Sequence, residues 1–546
     1  MSTILYKKSI IRKTLEVGGS TILSRLFGVA REFFFVWYLG VGKLPDAFLT
    51  AYKIPYSLRK IFAEGALSVA FIPTLVKMNK AGDSQQINSL MTLSFLIIEG
   101  LLIALCGVIA WKAEWVLRFI APGWFVGGES ITLFGLLPIP SAWAGGGVAL
   151  EQVLYAITFL RILIFFIVFI SSSALLACAL QSVNHFFIPA ISPVILNIVF
   201  IVGLVCGLIF RFSPEYLCLF IVLGGLVQFV LHGIAYAQYN FGFSPINSRA
   251  WLYFKEVLGK FFPCFFSMSV MEINSFLDTS FASYLPAGTI SLIHYANRFM
   301  GIPLGVFAAA FSTILLPHFA RIGVYAPRRL SFYLLESTKL VFWVTVPMSL
   351  MMGFFSEKIF HTIFYATQFS VAQMSQAGMI LTAYVIGLCF FSLNKILLNI
   401  YYALHNTRIP AAISVVAVVV NVSLNLVCMR TFGAPGLALA TTISGFLQTL
   451  LFVFFLHKVF RFKLYVATFA TFLTRYIVQL VAVLLPSLAV YYGLTYAIAY
   501  SLPPVLGDFF LYKIGFWVWV SPLCLLIFAV LFMLRKRFGI QLYFLD

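Results

Sequence analysis

Residues 409–457 read IPAAISVVAVVVNVSLNLVCMRTFGAPGLALATTISGFLQTLLFVFFLH. Two apolar runs lie back to back, and the one charged side chain, Arg430, stands at the break before Gly433. A helix needs about 20 predominantly apolar residues to cross the hydrocarbon core of a bilayer. Inside lipid its backbone groups must be satisfied within the segment, which selects helices. The stretch therefore predicts two membrane-spanning helices joined by a tight turn.

The same pattern recurs along all 546 residues. Hydrophobic residues make up 62% of the chain and charged residues 10%, against about 45–50% and about 25% in soluble domains. So few charges cannot cover a soluble surface. Spans are predicted near 15–39, 47–77, 86–111, 153–183, 188–210, 215–240, 256–285, 289–317, 330–355, 371–403, 409–430, 434–457, 467–497 and 511–534. The expected architecture is an all-α polytopic membrane protein of about fourteen transmembrane helices. One long connection, about 112–152, contains EWVLRFIAPGW, which predicts a short interfacial helix, and the run Gly145–Gly147.

The chain carries 36 basic and 17 acidic residues. Nucleic-acid binding is one meaning of such an excess, but basic loops on the cytoplasmic side of a membrane explain it better. With the N-terminus inside, Lys7, Lys8, Arg249, Arg328, Arg408, Lys458 and Arg535 fall on the same side. Both termini are thus expected in the cytoplasm, with no nucleic acid as partner. The eight Cys stand singly, without metal-ligand spacing. No Walker A, H-E-x-x-H or G-x-S-x-G motif occurs. The reading is of a transporter rather than an enzyme, with no cofactor beyond a possible coupling ion.

Ionisable residues inside spans mark function, because each costs about 2.5–3.5 kcal/mol at the bilayer centre. At 100° per residue, Thr21, Ser24, Arg25, Gly28, Arg31 and Glu32 share one arc of about 120° on the first helix. Asp46, Lys53, Ser57, Lys60, Glu64 and Ser68 share roughly 80° of the second, with Arg59 at its edge. The surplus of cations suits an anion, and arginine offers a planar fork for phosphate oxygens. Glu64 is expected to pair with Lys60 or a nearby arginine. Lys53 and Lys339 are expected to snorkel toward span ends. The eighth span adds Arg298, followed by Gly301, Pro303 and Gly305 as a close-packing or bending element. Glu272, Asp278, Asn421, Asn425, Thr441 and Thr442 offer oxygens in later spans, for interhelical hydrogen bonds or for a small cation.

These residues carry a family resemblance. S-R-x-x-G-x-x-R at 24–31, D-A-F at 46–48, P-x-x-L-R-[RK]-x-F-A-E-G-A at 55–66 and A-F-[IV]-P at 70–73 closely resemble the bacterial lipid II flippases, the MurJ or MviN family of the MOP exporter superfamily. The block HYANRFMGIPLGVFAAAFSTILLP at 294–317 is similar to a second region of that family. The resemblance implies a MATE-like V of two six-helix lobes, 1–240 and 241–460, with two extra C-terminal helices over 461–546. It implies lipid II as substrate in the bacterial cytoplasmic (inner) membrane, moved from inner to outer leaflet by alternating access, in a monomer. Membrane lipids and proteins of cell-wall synthesis and division are the implied partners. The family's cavity residues fall on Arg25, Arg31, Arg59 and Arg298, with Glu32, Asp46 and Glu64 as acids, Glu32 replacing a usual Asp. Ser24 and Lys60 stand among them. A sodium site in some relatives falls on Asp278, Asn421, Asn425 and Thr441. Asn425 replaces a usual carboxylate there, so coupling to sodium, to protons or to potential alone stays open. A cation-coupled small-molecule exporter and a non-transporting scaffold for cell-wall assembly are the alternatives.

Overall fold

The computed structural model describes the chain except residues 1–22, 25, 62–66, 126–131, 134–136, 139–149, 310, 313–314, 316–317, 320–321, 323–328, 365–368, 405 and 546. Arg25, Glu64 and Gly145–Gly147 lie outside the described residues. Apart from one two-residue ladder (Thr132–Leu133 with Leu137–Pro138), the regular structure is helical.

The chain divides into two compact units, Met1–Ile290 and Ser291–Asp546. In the first, α1 is described over 26–39. It is followed by α2 (Lys43–Arg59), α3 (Leu67–Lys80) and α4 (Ser84–Ser94). A π-helical turn, Phe95–Glu99, joins α4 to α5 (Gly100–Trp111). Then come α6 (Ala113–Ile120), α7 (Leu150–Leu163), α8 (Phe166–Ser182), α9 (Phe187–Phe210), α10 (Pro214–Gln238) and α11 (Ser248–Ala282). The helix expected in EWVLRFIAPGW is α6, which buries Ala113, Leu117 and Ile120 and exposes Trp115 and Phe119. Asn247 starts α11 by accepting the Ala250 N–H at 2.8 Å. That helix packs on α3 and α4, where Phe254 and Phe261 join Leu67, Phe71, Leu90 and Leu175 in one apolar cluster. This packing keeps α11 within the first compact unit.

In the second unit, α12 (Thr289–Pro303) leads into a π turn, Leu304–Ala309. The later helices are α13 (Leu330–Phe354), α14 (Ser356–Ile363), α15 (Val371–Ile386), α16 (Leu388–Ala403), α17 (Arg408–Phe432), α18 (Ala434–Phe460), α19 (Val466–Ser501), α20 (Pro504–Tyr512) and α21 (Phe516–Leu534). Gly433 ends α17 at φ +62°, in the left-handed region, so the quoted stretch turns where the break predicts. At Gly436 a Cβ would sit 2.0 Å from the Cys428 carbonyl oxygen, so only glycine permits this approach of α18 to α17. The helices after 461 pack on α13: Tyr476 donates to the Trp343 carbonyl (3.0 Å), and buried Gln479 accepts from Trp343 Nε1 (3.3 Å) and donates to Leu531 O (2.7 Å). The outer side of α19 presents Ile477, Val478, Val481 and Leu485, the apolar surface a bilayer requires.

Among the described residues nine helices are long and apolar enough to cross a membrane, and ten if α15 and α16, bent by 41°, count as one span. The expected fourteen is not reached by this measure. The four expected spans this measure leaves out are 15–39, 47–77, 256–285 and 289–317; in the first, second and fourth the described helices are shorter than 18 residues, while α11 is long enough but carries Glu272 and Asp278. Side chains suited to a polar interior lower the hydropathy of the helices that bear them.

Candidate functional site

On α1 the guanidinium of Arg31 is held on three sides. Nη2 donates to Glu32 Oε1 at 2.6 Å, Nη1 donates to Asn197 Oδ1 of α9 at 3.1 Å, and Cζ lies 5.0 Å from the Phe200 ring centroid. Asn197 Nδ2 returns to α1 by donating to the Ser24 carbonyl at 3.2 Å. The polar arc of the first helix is thus docked on α9 by one buried amide. Charge-assisted bonds of this kind fix the plane of the arginine fork.

On α2 the cations turn toward α11. Lys60 Nζ donates to Glu272 Oε1 at 3.1 Å, and Ser57 donates to Glu272 Oε2 at 2.6 Å. Lys60 Nζ and Arg59 Cζ lie 4.8 and 5.5 Å from the Tyr56 ring. Lys53 does not snorkel: it donates to the Ser275 carbonyl and the Thr279 hydroxyl of α11. Glu64 lies outside the described residues, and Glu272 is the acid seen on Lys60.

Asp46, 1% exposed, accepts the Gly288 N–H at 2.7 Å and the Gln152 amide at 3.5 Å. Gly288 has φ +98°, and a Cβ there would meet Val41 at 2.8 Å. The carboxylate therefore holds the turn that follows α11.

In the second unit Arg298 is partly buried on α12. A Cβ on Gly301, one turn later, would meet nothing within 4 Å, so no close helix contact is made at that glycine. Asn421 and Asn425 are buried on α17: Asn425 Nδ2 donates to Asn421 Oδ1 at 3.0 Å, and Asn421 Nδ2 donates to Thr441 Oγ1 of α18 at 3.3 Å. The structure brings these three together. The amide of Asn425 occupies Asn421 Oδ1, and Thr441 donates to Leu437 O at 3.1 Å. These bonds form an interhelical hydrogen-bond network between α17 and α18. Among the described residues no group of three or more His, Cys, Asp and Glu could hold a metal ion.

Sequence reasoning missed Asn197 and the role of Glu272. Each is a polar residue in an apolar run, and only the pairing of distant helices shows what it holds. It also missed Glu336, whose 2.7 Å bond keeps Lys339 buried rather than snorkelling.

This arrangement of helices matches that of MOP-superfamily exporters. A solved structure titled lipid II flippase MurJ, inward closed conformation, aligns with a TM-score of 0.73 at 23% identity, covering 95% of this chain and 98% of that one. An inward-facing multidrug resistance MATE family transporter aligns at 0.63 and 14% identity, covering 79% of this chain and 93% of that one. The family profile described as Lipid II flippase MurJ matches residues 35–506. The lipid II flippase MurJ of Burkholderia cenocepacia is 29% identical over 82% of this chain and 84% of its own. The probable lipid II flippase MurJ of Haemophilus influenzae is 30% identical over 79% and 83%. The chain belongs to the lipid II flippase MurJ family.

Proposed function

We propose that the protein moves lipid II from the inner to the outer leaflet of the bacterial cytoplasmic membrane by alternating access. The family match over 35–506 carries this reading. The arginines and lysines on α1, α2 and α12 support it, since an anionic diphosphate needs cations that a cationic drug would avoid. Arg25, Arg31, Arg59 and Arg298 bind phosphate oxygens, with Glu32 and Asn197 presetting the fork of Arg31. The polyprenyl tail stays in lipid while the headgroup crosses inside the protein. Both termini face the cytoplasm, and the functional lobes are 1–240 and 241–460, followed by the two helices of 461–546. An inside-negative potential favours outward movement of an anion by about 2.3 kcal/mol per charge per 100 mV.

The test is complementation of a flippase-depleted bacterium. Wild type should restore growth and Arg59→Ala should not, at equal protein level. Rescue by both would remove the phosphate-binding role of Arg59 and favour a scaffold.

A further inference from the structure

We propose that Glu99 is a proton-binding site, holding a proton in this conformation and releasing it when the third membrane span rearranges. Glu99 lies near the midpoint of the continuous helical stretch Ser84–Trp111, which is long and apolar enough to cross the membrane. It is 6% exposed, and its carboxyl faces the Ser171 and Ser172 hydroxyls without well-formed hydrogen-bond geometry to either. An ionised carboxylate without well-formed bonds in such a place costs several kcal/mol, so the group takes a proton instead.

The surroundings fit a proton better than a metal ion. Ser171 and Ser172 of α8 lie beside the carboxyl, and the Ser171 hydroxyl is itself buried and unbonded. Two hydroxyls and one carboxyl are few oxygens for a cation. The groups that act on the carboxyl are the Ser171 and Ser172 hydroxyls, with no cation among them. A titratable neighbour is Cys106, two turns further along on α5, whose thiol donates to the Ile164 carbonyl. His232 of α10 stands behind Ser173, bonded to that hydroxyl and to the Gln228 carbonyl.

Glu99 also closes the π turn Phe95–Glu99. A π turn is a local register fault, common at functional sites, and relaxing it to α geometry rotates the residues that follow. Such a rotation would carry the carboxyl away from α8. The conformation seen here should gain population as pH falls, and one that exposes Glu99 should gain as pH rises. The shift is limited to about tenfold per pH unit for one proton.

Infrared difference spectra of the full-length protein in lipid nanodiscs, wild type minus Glu99→Gln, test the site without reference to transport. A protonated-carboxyl band in wild type at pH 7, lost in the variant and unmoved by sodium, is expected. No such band, or one removed by sodium at fixed pH, would overturn the proposal. Should the variant not fold, the wild-type band alone is titrated with pH, and its absence at neutral pH has the same meaning. In reconstituted lipid II flipping, Glu99→Gln should flatten the pH profile of the wild type. Identical profiles would refute the coupled rearrangement, whereas absence of flipping by wild type would instead sink the transport reading.

Discussion

Lys60, which caps the end of α2, and Glu272 of α11 form an ion pair at 3.1 Å, and Ser57 bonds the other oxygen of the same carboxylate at 2.6 Å. One acid thus neutralises a cation of the second helix and ties that helix to the seventh expected span. Glu272→Gln should weaken both links and lower flipping several-fold. Exchanging the charges in Lys60→Glu/Glu272→Lys should recover part of the loss, with a coupling of about 0.5–3 kcal/mol in a double-mutant cycle. Independent, additive effects in that cycle would show that the pair carries no coupling.

Arg31→Ala should abolish lipid II flipping with little loss of folded protein, and Arg298→Ala should do the same. Lysine at either position should restore only part, because it lacks the bidentate fork. Asn197→Ala should give an intermediate defect by freeing Arg31 from α9. Initial rates in proteoliposomes at matched protein content decide among these outcomes. Wild-type rates for both alanine variants would rule out the phosphate clamp.

Asp46 has a different expected behaviour. Its carboxylate supports the Gly288 backbone from a buried position. Asp46→Ala should lower stability by about 1–3 kcal/mol, the range for losing a buried acceptor. Asp46→Asn, which keeps an acceptor oxygen, should recover much of it. Thermal unfolding in detergent measures this. A variant of unchanged stability that fails to flip would mean instead that Asp46 meets the substrate.

The hydrogen-bonded trio Asn421, Asn425 and Thr441 leads us to expect flipping to persist when sodium is replaced by potassium or choline at fixed membrane potential. Complete loss on sodium removal would restore a sodium site here.

Two glycines should separate cleanly. Gly436→Ala places a Cβ 2.0 Å from the Cys428 carbonyl oxygen and should cost about 1–3 kcal/mol or prevent assembly. Gly301→Ala meets open space and should be neutral or stabilise by up to about 1 kcal/mol. Folded yield by size-exclusion chromatography compares the two.

The fold was largely legible because lipid imposes length and composition on each span separately. Residues 409–432 and 434–460 could be read without knowing their neighbours. The polar arcs of the first two helices were legible for the same reason, since periodicity lies within one helix. Pairing was not. Arg31 and Asn197 are 166 residues apart and Lys60 and Glu272 are 212 apart, and no local pattern joins them. Lys339 shows the remaining difficulty. Its spacing from Glu336 was visible, but whether that face meets lipid headgroups or protein depends on packing. Glu99, a lone acid in FLIIEGLLIAL, was passed over in the sequence, and only the tertiary structure shows it buried against α8.

The placement of α11 has a practical consequence for dividing the protein. A polypeptide ending at 240 would leave α3 and α4 without Phe254 and Phe261, baring Phe71 and Leu90 in the membrane. One ending at 290 keeps that cluster whole, along with the Asp46–Gly288 bond. Co-expressed halves cut after Ile290 should therefore reassemble into working protein far better than halves cut after 240.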